Sequence, residues 1–213
     1  YIFPSDYDYK AHGSTGKGPI GIEKGSVNYI GGDWWMESQG NTKNEKSYQQ
    51  SPLKDIVSGY LSTYIGALPN LKALFLPYTG IEGPMPTEIK TCTNLTWINI
   101  KNNKLNGHIP PMSNKGQLSF LSLQFNNLSG QLPEDLYSFF NYTKSQPPLE
   151  PKGEVNYPQI FLHNNKLTGK IPIPNKGENT VMLWLSENEL TGKIPDNIFN
   201  NKLLSLNLRN NNL

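Results

Sequence analysis

The sequence predicts an α/β right-handed solenoid, horseshoe-like, in which stacked coils place short parallel strands on a concave face. Two observations predict it. First, one polar corner recurs in near-copies: "IKNNKLNGHIP" from residue 100, then "LQFNNLSGQLP", "LHNNKLTGKIP" and "LSENELTGKIP". Aligned on the corner residue these give Asn103, Asn126, Asn165, Asn188 and Asn211, with Thr79 in the same place one unit earlier, at spacings of 24, 23, 39, 23 and 23. Second, apolar residues recur three, five and usually eight positions before each corner, as with Leu118, Leu121 and Leu123 before Asn126. A fixed period of this length marks a stacked array.

Taken in chain order, residues 1–50 show no repeat and read as part of an N-terminal cap, with "YIGGDWWMES" as a short strand carrying Trp34 and Trp35. Residues 51–68 read as an amphipathic capping helix. Ser51 suits the N-cap and Pro52 the first turn. Leu53, Ile56, Val57, Tyr60, Leu61, Tyr64 and Ile65 fall on one face at helical spacing, and such a helix would cover the open end of the first coil. Six repeats follow over 69–213, the last incomplete, with an insertion at about 136–157 where the spacing widens. The insertion contains "SQPPLEPKGEV", whose Pro and Gly argue for a loop without regular structure, placed on the convex side or an edge. Because the last unit stops at "LRNNNL", we expect the natural chain to continue.

Within a unit, alternating apolar residues such as Leu121 and Leu123 turn one face of a strand inward. The chain must then bend towards the core, and the backbone groups at the bend need partners. An Asn amide supplies donors and an acceptor together, so a column of stacked Asn can serve neighbouring coils. Gly83, Gly107, Gly130, Gly169 and Gly192 supply tight turning, and Pro86, Pro110, Pro133, Pro172 and Pro195 an extended return.

The pattern L-x-x-L-x-L-x-x-N-x-L with "LNGHIP" and "LTGKIP" resembles the plant-type leucine-rich repeat family, and the resemblance covers about residues 69 to 213. It implies a solenoid used by receptor ectodomains, by inhibitors of cell-wall-degrading enzymes, and by secreted or surface proteins of bacteria. Plant extracellular members usually carry paired cysteines in their caps. This chain has only Cys92, a departure that looks more like a bacterial surface protein. Cys92, in "TCTNL" ahead of a strand, reads as a buried thiol, and one cysteine excludes an internal disulfide or a Cys-based zinc cluster.

Composition narrows function further. With 19 basic and 17 acidic residues among 213 the formal charge is +2, which supplies little attraction to phosphate, so no nucleic-acid partner is expected. No apolar run approaches the roughly 20 residues of a membrane span. The three histidines, His12, His108 and His163, are scattered, without a catalytic triad order, metal spacing or phosphate-cradling loop. "HGSTGKG" lacks the phosphate-loop spacing, and Asp6 with Asp8 reads as a solvated turn. Neither an enzyme nor a cofactor or metal site is expected. Asn94, Asn127 and Asn141 begin N-x-[ST] sequons at about the frequency that chance predicts.

What the repeat leaves free are the outward positions of the strands. Between the core positions lie Phe75, Asn99, Ser122, Phe161, Trp184 and Asn207; one column earlier lie Ala73, Trp97, Phe120, Gln159, Met182 and Ser205. On the other side run Pro77, Lys101, Gln124, His163, Ser186 and Arg209, then Tyr78, Asn102, Phe125, Asn164, Glu187 and Asn210. The fold does not need large rings there, and contiguous exposed apolar area marks a binding surface. We expect a ligand site of Phe75, Trp97, Phe120, Phe161 and Trp184 as apolar anchors, with Tyr78, Lys101, Gln124, Phe125 and His163 beside them. Self-packing of the rings is the competing reading. Six strands about 4.8 Å apart span roughly 24 Å, which fits a protein or peptide ligand of about seven extended residues, or several sugar rings. The expected function is a recognition module, extracellular or at a cell surface, for a protein or peptide; a polysaccharide-binding protein and a structural spacer are the alternatives.

Overall fold

A computed structural model describes residues 22–23, 26–27, 29–31, 59–112, 118–140, 159–174, 182–200 and 203–213. Asp6, Asp8, "HGSTGKG", Trp34 and Trp35, residues 51–58 and the insertion from residue 141 onward lie outside them.

Two parallel sheets and a row of short 3-10 helices enclose the core. The concave sheet has seven strands, ordered along the chain as Tyr29–Gly31, Ala73–Phe75, Trp97–Asn99, Phe120–Ser122, Gln159–Phe161, Met182–Trp184 and Ser205–Asn207. Every neighbouring pair is parallel and in register, so Leu74, Ile98, Leu121, Ile160, Leu183 and Leu206 form one column. The first five are fully buried. A second sheet of six strands, Gly59–Tyr60, Ile81–Pro84, Lys104–Gly107, Asn127–Gln131, Lys166–Gly169 and Glu189–Leu190, runs along the return segments. In the third row are 3-10 helices Thr63–Ala67, Thr87–Thr91, Leu136–Phe139 and Asp196–Asn200. Their inward residues Ile65, Ile89, Leu136 and Ile198 close the core. Among the described residues the core is therefore lined by leucine and isoleucine from both sheets and from the 3-10 row, and the hydrophobic effect acts between coils as well as within them.

The corner asparagines behave alike in every coil. Each side-chain carbonyl accepts from the backbone N–H two residues past the corner of the preceding coil: Ile81 N to Asn103 Oδ1 at 3.0 Å, Leu105 N to Asn126 at 2.9 Å, and Leu128, Leu167 and Leu190 N to Asn165, Asn188 and Asn211 at 3.0 Å. Each Nδ2 donates to a strand-end carbonyl of its own coil and to the same carbonyl of the coil before, as Asn126 does to Leu123 O and Ile100 O, both at 3.0 Å. At the first corner, Thr79 Oγ1 donates to Leu76 O at 3.1 Å and the Thr79 N–H donates to Asn103 Oδ1 at 3.0 Å. A further hydroxyl row precedes the strands, where Thr96 Oγ1 donates to Lys72 O and Ser119 Oγ to Thr96 O, each at 3.0 Å.

Three expectations need correction. The 51–68 helix is not continuous: Gly59–Tyr60 is a strand paired with Ile81–Pro84, and Thr63–Ala67 is a 3-10 helix. Gly59 has φ +130, outside any helix, and Leu61 and Ile65 are buried as inward residues of a coil. Residues 1–50 hold a strand of the repeat sheet, since Ile30 pairs with Leu74. The 136–157 insertion begins too early, because Leu136, Tyr137, Phe139 and Phe140 are buried and Phe140 bridges Leu118.

Cys92 is fully buried, its thiol 3.2 Å from Ile65 O, and burial pushes its pKa upward. A thiol reagent at mildly alkaline pH should therefore label the native protein at least about 100-fold more slowly than the urea-unfolded chain. Comparable rates would place Cys92 outside the core.

Candidate functional site: the concave ring strip

The strand register brings the outward columns into line. Trp97 lies beside Phe120, and Phe161 lies beside both Ser122 and Trp184. The Trp97 and Phe120 rings stack with centroids 4.1 Å apart and planes 9° apart. From Phe120 the contacts turn edge-on, to Phe161 at 5.7 Å and from Phe161 to Trp184 at 5.1 Å. His163 joins this row on its other flank, 5.7 Å from Trp184 and 5.4 Å from Phe125. Six aromatic side chains from four coils thus form one connected strip. At its margin Lys101 holds its ammonium 5.6 Å from the centre of the Tyr78 ring, within cation–π range. Phe75 heads the column that contains Phe161 and Trp184, in register with Asn99.

All ten predicted site residues stand clear of the buried core. Phe125 is exposed, and Phe75, Tyr78, Trp97, Lys101, Phe120, Gln124, Phe161, His163 and Trp184 are half-buried. The rings of the strip touch one another and keep part of their surface open to solvent. The polar residues between the rings lie deeper. Asn99 and Ser122 are buried, and the Ser122 hydroxyl sits 3.2 Å from Asn99 Oδ1 and 2.8 Å from Gln124 Oε1. One hydroxyl carries one proton, so Ser122 donates to one of these two carbonyl oxygens at a time, and Gln124 Oε1 is the nearer. Gln124 is thereby tethered beside the strip.

Sequence reasoning missed the backbone that presents the rings. The residue before every corner has a left-handed φ: Tyr78 (+58), Asn102 (+55), Phe125 (+57), Asn164 (+54), Glu187 (+55) and Asn210 (+54). Asparagine tolerates this region, whereas an aromatic residue there is strained. Position parity hides this, because the turn uses an extra residue between strand and corner. His163 is the other electrostatic feature. Burial first, and the nearby Lys101 charge second, hold its pKa below the ordinary imidazole value, so at neutral pH it packs as an uncharged ring. Its Nδ1 is buried without a hydrogen-bond partner among the described residues.

Among the described residues no three His, Cys, Asp or Glu side chains converge on a metal-sized site. His163 faces the concave strip, whereas His108 lies over Gly130 of the second sheet. No helix of the described residues is long and apolar enough to cross a membrane.

This architecture is that of a leucine-rich-repeat solenoid. The leucine-rich-repeat family description matches residues 94–115, 117–139 and 179–201. Over 92 residues the chain is 30% identical to receptor-like protein 31 of Arabidopsis thaliana, an overlap of 42% of this chain and 10% of that protein. Among solved structures it is similar to the Arabidopsis receptor kinase HAESA in complex with the peptide hormone IDA and the co-receptor SERK1, with a TM-score of 0.58, 28% identity, and coverage of 72% of this chain and 24% of that one. It is also similar to the leucine-rich-repeat ectodomain of the Arabidopsis membrane receptor kinase GASSHO1/SCHENGEN3, with a TM-score of 0.57, 26% identity, and coverage of 72% and 17%. The plant peptide hormone receptor RGFR1 with RGF2 matches with a TM-score of 0.52, 32% identity, and coverage of 72% and 27%. The chain thus spans between 10% and 27% of the length of these four proteins. They are plant receptors; the expected bacterial source rested on the lone Cys92.

Proposed function

We propose that the chain is a non-enzymatic recognition module that binds a protein or peptide on its concave ring strip, outside the cell or at its surface. The observation that carries this is Phe125. It is an aromatic residue in a left-handed turn, 46% exposed, at a position where three other coils place asparagine. Apart from an edge contact with His163 the fold gains little from a strained, largely solvent-facing ring there, while recognition gains an anchor. Tyr78, two coils earlier at the margin of the strip, has the same backbone. The solved neighbours support the reading, since HAESA and RGFR1 were captured with peptide hormones. An extracellular position follows the same analogy, the GASSHO1 structure being an ectodomain.

A polysaccharide is disfavoured by ring orientation. Sugars stack on exposed aromatic faces, but the parallel rings of Trp97 and Phe120 take up each other's faces between adjacent strands.

The double variant Tyr78→Asn/Phe125→Asn tests the proposal. It gives both turns the residue used by Asn102, Asn164 and Asn210, so stability should be unchanged or higher by up to about 1 kcal/mol. Peptides selected on the wild-type chain from a random displayed library should bind this folded variant at least about tenfold more weakly, equivalent to about 1.4 kcal/mol. Equal binding would remove the strip from recognition. Dose-dependent capture of an oligosaccharide on a glycan array, lost in the same variant, would hand the site to carbohydrate.

A further inference from the structure

The strip is electropositive, and its positive charge is unanswered. Lys101 is half-buried beside Tyr78, and no carboxylate of the described residues lies within the 4.0 Å of an ion pair with it. Glu187 on this face stands three coils on from Lys101, where it already pairs with Arg209 at 3.5 Å and accepts from the Asn210 amide of the next coil. Gln124 and His163 follow Lys101 in the same column in the next two coils, and both are uncharged at neutral pH. The stacked Trp97 and Phe120 rings of the strip carry no charge. A half-buried ammonium gains most from an anion that is itself partly desolvated. An apolar partner alone would bury the Lys101 charge without compensation, which is unfavourable.

We propose that the ligand of the concave strip is an acidic peptide segment, which sets an Asp or Glu carboxylate against Lys101 and an apolar side chain against the neighbouring rings. This rests on the reading of the strip as a peptide-binding surface and adds the chemistry of one contact. Lys101 is then the residue that selects ligand charge, while Phe125, Phe161 and Trp184 select apolar bulk. Binding should weaken with salt, because a partly exposed ion pair is screened.

A library of random displayed peptides, selected separately on the wild-type chain, Lys101→Gln and Lys101→Arg, tests it. The wild type should enrich Asp or Glu at one or two positions several-fold above the input, together with apolar residues. Lys101→Arg should keep the acidic enrichment and Lys101→Gln should lose it while keeping the apolar one. A selected acidic peptide should bind Lys101→Gln about tenfold more weakly than wild type. Since Lys101 makes no ion pair in the fold, wild-type thermal unfolding in both variants shows that the effect is local. For the wild type alone, raising salt from about 0.05 to about 0.5 M should weaken that peptide several-fold, a reading that needs no variant. Apolar enrichment without Asp or Glu, or enrichment of Lys and Arg, overturns the proposal and leaves the peptide reading standing. If no peptide prefers the wild type to Tyr78→Asn/Phe125→Asn, the peptide reading fails and this proposal with it.

Discussion

Replacing Asn126 by alanine should lower stability by about 3 kcal/mol, measured by urea unfolding, whereas Asn127→Ala, one residue on, should change it by less than about 0.5 kcal/mol. The two residues differ only in where the turn puts them. Asn127 is exposed on the second sheet. Asn126 is buried and accepts from Leu105 N at 2.9 Å while donating to Ile100 O and Leu123 O. Those carbonyls each keep another amide, from Asn103 to Ile100 O at 3.0 Å and from Asn165 to Leu123 O at 3.1 Å. Leu105 N–H has no such reserve, and an orphaned buried donor costs about 1–3 kcal/mol beyond the lost packing.

Asn126→Asp separates the roles of the amide. The carboxylate still accepts from Leu105 N but faces two carbonyl oxygens without a proton. Its folded pKa is therefore raised above the unfolded value. A group raised in this way contributes stability below its unfolded pKa and loses it as pH rises through the folded pKa. The aspartate variant should accordingly come closest to wild type near pH 4 and fall towards the alanine variant, or below it, by pH 7. Parallel behaviour of Asp and wild type across that range would mean that the donors at this corner are dispensable.

The corner and the core were legible because one chemical demand repeats. Every bend orphans the same backbone groups, so every unit carries the same Asn and the same flanking leucines. Exact repetition fixes register, and register fixed the columns in which Trp97 meets Phe120 and Phe161 meets Trp184. Ring orientation was not legible, since rotamers answer to neighbours and not to spacing. Nor was the second sheet. In Lys104–Gly107 a single buried residue, Leu105, lies between exposed ones, too short a stretch to show a period of two. The first coil escaped because Ile30 is followed by glycines and no corner Asn. Gly59–Tyr60 and Thr63–Ala67 were mistaken for a helix because Leu61 and Ile65, four apart, are buried in either arrangement.

The repeated glycine carries a second demand that spacing alone hides, and Gly130→Ala should expose it with a loss of about 2–3 kcal/mol. Gly130 has φ +75, where an L side chain costs about 1–2 kcal/mol. It also lies directly under the side chain that follows the glycine of the preceding coil: a Cβ there would stand 1.9 Å from His108 Nδ1 and 2.2 Å from Cε1. The same perch recurs with Tyr60 over Gly83, Gln131 over Gly169 and Lys170 over Gly192. Gly107 provides the comparison. Its φ is +70, but an added Cβ would meet Pro84 Cβ at an ordinary 3.6 Å, so Gly107→Ala should show the backbone strain alone. His108 is exposed and can swing away, which limits the clash to about 1 kcal/mol. In a double-mutant cycle, His108→Ala should therefore return Gly130→Ala to the Gly107→Ala value, a coupling of about 1 kcal/mol. Additive losses would show that the imidazole does not rest on the glycine, and that left-handed φ alone keeps Gly at this place in each coil.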